Sequence, residues 1–217
     1  MADQDFDALR KGHLEARCQA AVKALERRMF EASWFSSVER AVDHVLEIIP
    51  EGSRVGAGGS VTLRETGTLE ALSARGDEVI HHRQEMAFEE SLLARKQAIV
   101  CPYYLVSANA VTMEGELVNL DGIGNRVAGM IFGPQTVIVL AGANKIVEDR
   151  EEAFCRIRNI SAPANARRLG VDVPCVERGR CTDCKSPMNI CRVWTIMSHP
   201  PMLTHVKVIL IAEPLGL

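Results

Sequence analysis

The sequence predicts an α/β protein: an open, mainly parallel sheet flanked by helices, with an inserted hairpin and an N-terminal helix. Three observations carry this expectation. Segments of strand character alternate with segments of helical periodicity along most of the 217 residues. Thr136 to Ala141 is a continuous, β-branched run of the kind found in a central strand covered on both faces. Glycine-rich turns follow strands and lead into helices, as they do where such sheets bind ligands. The composition, 47% hydrophobic and 24% charged, is that of an ordinary globular chain. Its length suits one domain plus an extension, drawn here as a helical segment 1–34 and an α/β domain 35–217. No internal repeat or low-complexity linker interrupts it.

The elements follow in order. Leu14, Cys18, Ala21, Val22, Leu25 and Met29 recur at helical spacing, so the first ~25 residues form one amphipathic helix. A second helix starts at a capping box, Ser36 with Glu39, buries Val38, Ala41, Val42, Val45 and Ile49, and stops at Pro50 and Gly52. Arg54 to Ala57 is a short strand that runs into Gly58-Gly59-Ser60 and a helical turn. Glu78 to His81 is a strand, Met86 to Lys96 a helix, and Ala98 to Cys101 a strand stopped by Pro102. Ala110 to Met113 and Glu116 to Leu120 flank Glu114-Gly115 as a hairpin. Ile123 to Phe132 is helical, Glu148 to Asn159 is a charged amphipathic helix, and Val206 to Ala212 is a closing strand.

Bulk properties narrow the function. A formal net charge of −3 offers no basic face to a nucleic acid. The longest apolar stretch, Val127 to Ala143, is broken by Gly129, Gly133, Pro134 and Gln135, so it reads as a buried helix, turn and strand and no membrane insertion is expected. The N-terminus lacks an apolar segment behind a basic start, which predicts a protein that stays in the cytoplasm. Seven cysteines in such a chain argue against a disulfide framework. Cys18, Cys101 and Cys155 sit in apolar helical or strand contexts and read as core.

Three turns can hold an anion. In Val55-Gly56-Ala57-Gly58-Gly59-Ser60-Val61-Thr62 the glycines let backbone approach a ligand, and Ser60, Thr62 and Glu65 stand at the start of a helix. The run is neither a Walker A loop nor a GxGxxG fingerprint, and the plainer reading is a tight strand-to-helix turn. Asn119 to Arg126 turns from strand to helix and places Asp121, Asn125 and Arg126 at a strand's carboxyl end; the guanidinium fork of Arg126 suits a carboxylate or phosphate. The plainer reading there is an Asp-Gly turn with a helix cap. Gly142-Ala143-Asn144-Lys145 follows the most hydrophobic strand and brings an ammonium group to the same end of the sheet; alone it would be a surface lysine. His81 and His82 are neighbours at a strand end and do not face one site together.

Cys175-x5-Cys181-x2-Cys184-x6-Cys191, among Pro174, Gly179 and Pro187, is a set of four thiols in a loop. Such a set can hold zinc, ligate an iron–sulfur cluster, act as a dithiol pair at Cys181 and Cys184, or remain as inert thiols. The spacing matches neither the paired C-x2-C zinc pattern nor the ferredoxin run. His199 is a loop residue beside Pro200 and Pro201.

Four segments together resemble the LUD-domain (lactate utilisation) family, in its cysteine-containing branch: Ser107-Ala-Asn-Ala-Val-Thr, Asn119-Leu-Asp-Gly-Ile-Gly-Asn-Arg-Val-Ala, Gly142-Ala-Asn-Lys-Ile-Val and Cys181-Thr-Asp-Cys184. The resemblance covers roughly residues 35–217. It implies a fold similar to the sugar-phosphate isomerases and coenzyme A transferases, with the first glycine-rich turn lining the ligand pocket. It also implies a place in carbon and energy metabolism, since some members accompany iron–sulfur and flavin partners in lactate oxidation. The expected ligand set is Gly56, Gly58, Gly59, Ser60, Thr62, Glu65, Asn109, Asp121, Asn125, Arg126, Asn144 and Lys145 around a small organic acid or related anion. The expected metal ligands are Cys175, Cys181, Cys184 and Cys191, for zinc or an iron–sulfur cluster, and the expected partners are oxidoreductase subunits or a second copy in a homodimer. The rival functions are a non-catalytic assembly subunit of a multi-component oxidoreductase and a transferase- or isomerase-like enzyme. The transferases' nucleophilic glutamate has no evident counterpart, because the nearest, Glu114, falls in the hairpin turn.

Overall fold

The structure is a computed structural model that describes residues 5–217; residues 1–4, the start of the N-terminus read above as leaderless, lie outside the described residues. Its elements in chain order are α1 (Phe6–Arg27), β1 (Glu31–Phe35), α2 (Val38–Ile48), β2 (Arg54–Ala57), α3 (Val61–Glu65), α4 (Thr68–Arg75), β3 (Glu78–Ile80), α5 (Phe88–Ala98), β4 (Tyr103–Val106), β5 (Ala110–Thr112), β6 (Leu117–Asp121), α6 (Asn125–Ile131), β7 (Thr136–Gly142), β8 (Ile146–Val147), α7 (Arg150–Arg156), α8 (Ala162–Arg168), α9 (Pro174–Arg178), β9 (Val193–Met197) and β10 (His205–Ile211). A 3-10 turn (Ala143–Lys145) joins β7 to β8, and a π-helical turn (Ile157–Ser161) joins α7 to α8.

Six strands form an open sheet in the order β1-β10-β7-β4-β2-β3, parallel throughout, as the alternation of segments predicts. β7 is central and alternates its side chains between two cores. Val137, Val139 and Ala141 meet Cys18, Ala21 and Leu25 of α1, with Met130 of α6 in the same core. Ile138 and Leu140 meet Ala41 and Val45 of α2 and Leu63 and Leu72 of α3 and α4. The boundary drawn at 34/35 falls inside β1, the edge strand paired with β10, and the buried face of α1 belongs to the main core.

A second sheet, β8-β5-β6-β9, branches off after β4. The expected hairpin is its centre, with Val111 opposite Leu117 and the turn closed by Gly115 at φ +84°. β9, which the sequence reading leaves as loop, pairs antiparallel with β6 along its full length. One face of this sheet (Val111, Leu117) rests on the main core, and the other (Ala110, Val118, Leu120) is covered by Ala153 and Ile157 of α7 and the π turn.

Two expected boundaries move. The strand expected at Ala98 to Cys101 is instead the end of α5 and its exit, and the strand is β4, beyond Pro102. Pro102 offers no N–H, but its carbonyl accepts from Gln135 and Thr136 and so starts the pairing of β4 with β7. The N-cap of α2 is Ser37, so the helix begins one residue after the expected capping box would place it. The helix expected to end at Asn159 continues through the π turn to Arg168, because Pro163 falls in the first turn of α8, where its missing N–H is tolerated.

Candidate functional site

The chain leaves β2 outward to β3, then returns past β2 to β4 and continues to β7 and β10 on the other side. The connections therefore diverge between β2 and β4, and open parallel sheets bind ligands outside the carboxyl ends of the strands at such a switch point. Here the turns after β2 (Gly59, Ser60), β4 (Ser107 to Asn109), β6 (Asp121 to Arg126) and β7 (Lys145) surround a cavity of about 470 Å³, an ordinary size for a small-molecule site. Helix α8, the π turn and the loop 187–192 complete its walls.

The glycine-rich turn is glycine-rich for three different reasons. A Cβ at Gly56 would lie 2.0 Å from the carbonyl oxygen of Ala98, so that glycine lets α5 pack on β2 and does not face the cavity. A Cβ at Gly58 would meet the Arg126 side chain and the Tyr104 hydroxyl at 3.0 Å, and one at Gly59 would meet the His82 ring at 2.9 Å. Gly59 and Ser60 line the cavity, and the Ser60 hydroxyl caps α3 by accepting from the Leu63 amide at 3.2 Å.

Lys145 reaches the cavity floor from the turn after β7 and is only 3% exposed. Its Nζ donates to Thr62 Oγ1 at 2.7 Å and to Ser107 Oγ at 2.9 Å, which links the turns after β2 and β4. Burial, reinforced by the charges of Arg156 and Arg126 and only partly opposed by Glu65, brings its pKa down to about 7. Thr62 is thus a support for Lys145 and not a lining residue. Glu65 and Asn144 hold the chain's last described residues: Glu65 accepts from the Gly216 amide at 2.5 Å and Asn144 Oδ1 from the Leu215 amide at 3.0 Å.

Arg126 lines the cavity but spends its guanidinium on the protein. Nη1 donates to Ser107 O and Asn119 Oδ1, and Nη2 to Asn109 Oδ1 and Leu120 O, all at 2.8–2.9 Å. Its Nε faces Asp121 at 3.7 Å. The Asp121 carboxylate also accepts from the Ile123 and Val127 amides, so it shapes the turn into α6. Asn109 is held by Asn119 and Leu120, while among the described residues no hydrogen-bond partner engages the cavity-lining side chain of Asn125. Arg126, Asp121 and Asn109 together form a braced wall of the cavity.

Free positive charge comes from residues that sequence spacing did not single out. Arg95 of α5, Arg168 of α8 and Arg192 of the cysteine loop line the cavity with Lys145 and Arg126, against one acidic side chain among the described residues, Asp121. His82 lines it as well, whereas His81 does not. Burial, and after it the neighbouring Arg95, His81, Arg64 and Arg168, push the pKa of His82 down to about 4. Arg95 and Arg168 each occupy a polar helix position that reads as solvated, so only their convergence in space marks them.

The four loop cysteines are all free thiols, Cys175 buried and Cys191 exposed. Among the described residues no three His, Cys, Asp or Glu side chains converge closely enough to share one metal ion. Cys175, Cys184 and Ile190 nevertheless belong to one apolar cluster with Ala166 and Val173.

Comparison with known proteins agrees with this architecture. The family described as "LUD domain" matches residues 18–211. A crystal structure of a DUF162 family protein from Deinococcus radiodurans is similar in fold, with a TM-score of 0.51 at 12% identity, covering 93% of this chain and 98% of that one. No curated protein matches the sequence.

Proposed function

The chain belongs to the LUD-domain family, and on that premise we propose that it binds a small organic acid or related anion of carbon and energy metabolism in the crevice between the ends of β2 and β4. The observation that carries this reading is the charge of the crevice: among the described residues five basic side chains and one acidic side chain line it, in a chain whose net charge is −3. Arg126 and Asp121 satisfy each other and the backbone. Lys145, Arg95, Arg168 and Arg192 also donate to protein oxygens but pair with no carboxylate among the described residues, so their charge is left to meet an anion. Charge-assisted guanidinium–carboxylate hydrogen bonds are among the stronger polar interactions available to a protein. An amine with a pKa near 7 can also hold or release a proton at Nζ, which gives the site a group able to act on a bound acid.

The test is thermal denaturation of the intact protein with increasing lactate, pyruvate or inorganic phosphate. A true ligand at ~100-fold its Kd adds about 2.7 kcal/mol, or roughly 5–10 °C in a domain of this size. Arg95→Gln and Arg168→Gln are each expected to weaken the effective anion about tenfold. Equal stabilisation of wild type and both variants would contradict the reading.

A second reading, a subunit of a multi-component oxidoreductase, is favoured by one surface. β9 is the outer strand of the smaller sheet and exposes Val193, Trp194 and Ile196, and the loop after it exposes Met202 and Leu203. An apolar edge strand is a common pairing site. On this reading Trp194→Glu lowers recovery of the native complex and leaves anion binding intact.

A further inference from the structure

We propose that Ser107 is a nucleophile with Lys145 as its general base, and that the pair cleaves esters of small anionic acids in the crevice. The choice of substrate rests on the anion reading above; the pair itself rests on geometry. Ser107 is the first residue beyond β4, at the carboxyl end of a strand that borders the switch point, and Lys145 comes from the turn after β7. Both side chains are almost wholly buried, yet both residues line the cavity.

The contact between them is the one that acyl transfer requires. Nζ and Ser107 Oγ are 2.9 Å apart, a distance over which a proton passes directly. A third group holds the base: Nζ also donates to Thr62 Oγ1, a fully buried hydroxyl, at 2.7 Å. Protonated, the amine donates to both hydroxyls. Neutral, it can keep its bond to Thr62 and accept the Ser107 proton on its lone pair. That use of the lone pair makes the serine, and not the lysine, the attacking group. Serine–lysine pairs replace the serine–histidine arrangement on several unrelated folds.

The surroundings fix the pair in place. Arg126 Nη1 donates to the Ser107 carbonyl at 2.8 Å, and Arg156 Nη1 donates to the Asn109 carbonyl at 2.8 Å. The Asn109 amide donates to Asn119 Oδ1 at 3.2 Å, so the segment that carries the serine is braced from three sides. Gly216, at φ +68°, packs so closely that a Cβ there would overlap Thr62 Oγ1 and stand 3.0 Å from Nζ. Arg156 and Arg126 oppose the ammonium charge and Glu65 favours it; with burial, the balance makes the neutral amine available near pH 7.

The reaction balances with water alone. Ser107 Oγ bonds to the ester carbonyl carbon as its proton passes to Nζ. The bond to the alcohol oxygen breaks, and the alcohol leaves with that proton. Water then attacks the acyl-serine and gives a proton to Nζ, which returns it to Ser107 as the acid departs. In both halves negative charge gathers on the carbonyl oxygen, in a crevice whose charged side chains are mostly basic. The same lining suits an acyl group that carries a second, free carboxylate.

The experiment treats the intact protein with an uncharged alkyl fluorophosphonate, which modifies activated serines, and locates the adduct by peptide mass spectrometry. The expected result is an adduct at Ser107 whose rate of formation rises with pH through about 7. Ser107→Ala should abolish it, and Lys145→Met should slow it about 100-fold or more. Thr62→Ser, which keeps the hydroxyl, should retain the rate that Thr62→Val loses. Circular dichroism separates a lost nucleophile from a lost fold. Wild type should also hydrolyse the mono-p-nitrophenyl ester of succinate about tenfold faster than p-nitrophenyl butyrate, which lacks the free carboxylate. A folded wild type with no adduct, an adduct on Lys145 in place of Ser107, or equal rates in Lys145→Met and wild type overturns the pair. Each of those results leaves the anion reading standing, because thermal denaturation tests it without any ester. An adduct at Ser107 with no preference for the succinate ester overturns the substrate class.

Discussion

Unfolded, the Lys145 amine titrates near 10.5; folded, it titrates near 7 because burial and two neighbouring arginines oppose its charge. Between those values the unfolded chain holds more protons than the folded one. Stability therefore rises with pH across that window, and below pH 7 the full cost of the buried ammonium is present. Lys145→Met is expected to stabilise the protein at pH 6.5 by up to roughly 5 kcal/mol, less the lost bonds to Thr62 and Ser107, and to flatten the rise between pH 7 and 10. Urea denaturation at pH 6.5, 8 and 9.5 measures both effects; a wild-type stability that does not rise over this range contradicts the assignment. The glycine-rich turns made Lys145, Asp121, Asn125 and Ser60 legible in the sequence, because each follows a strand directly. The commitment of Arg126 to four protein acceptors was not legible, since two of those acceptors lie before β5, at Ser107 and Asn109, and two on β6, at Asn119 and Leu120. Arg95, Arg168 and Arg192 come from three separate segments, and no spacing rule connects them.

Helix α1 is fastened to the second sheet through Glu116, which is fully buried at the start of β6. Its carboxylate is paired by both Arg150 donors at 2.6 Å, by Arg28 at 3.5 Å and by the Ser198 hydroxyl at 2.8 Å. Arg28, just beyond α1, also donates to Glu114 O, and the α1 backbone sits so close to the hairpin turn that a Cβ at Gly115 would lie 2.3 Å from Ala24 O. The Arg150 hydrogen bonds, with Ser198 and the nearby arginine charges, outweigh burial and hold the Glu116 carboxyl at about 2. Its folded pKa is depressed, so the stability it contributes is complete above pH ~4.5 and is lost as pH falls toward 2. Glu116→Gln should cost about 2–3 kcal/mol at pH 7 and make acid unfolding shallower, as followed by circular dichroism between pH 5 and 2. Equal stability of variant and wild type at pH 7 would remove this anchor from the account. Elements with a strong pattern, α1, β2, β7 and the hairpin, were visible in sequence. β1 was not, because a five-residue edge strand with half-buried side chains shows no apolar run. β4 was displaced because Ala98 to Cys101 is as apolar as a strand, yet Ala98 closes a helix against Gly56.

At the scale of the whole molecule, the parallel sheet followed from the alternation of segments, and the second sheet did not, since its outer strands β8 and β9 are two and five residues long and pair across large separations. That second sheet matters for function. It branches from the first after β4, and the crevice lies where the turns of both sheets meet, closed by α8 and the cysteine loop. The central claim is therefore one of place as well as charge: an anion binds at the switch point between β2 and β4. The most direct measurement is a nuclear magnetic resonance titration of the isotope-labelled protein with the acid that stabilises it most. Saturable amide shifts confined to Gly59 and Ser60, Ser107 to Asn109, Asp121 to Arg126 and Lys145, absent in Arg168→Gln at the same concentration, are the expected result. Shifts centred on β9 and the loop that follows it, or none at concentrations that saturate the thermal effect, would contradict the claim.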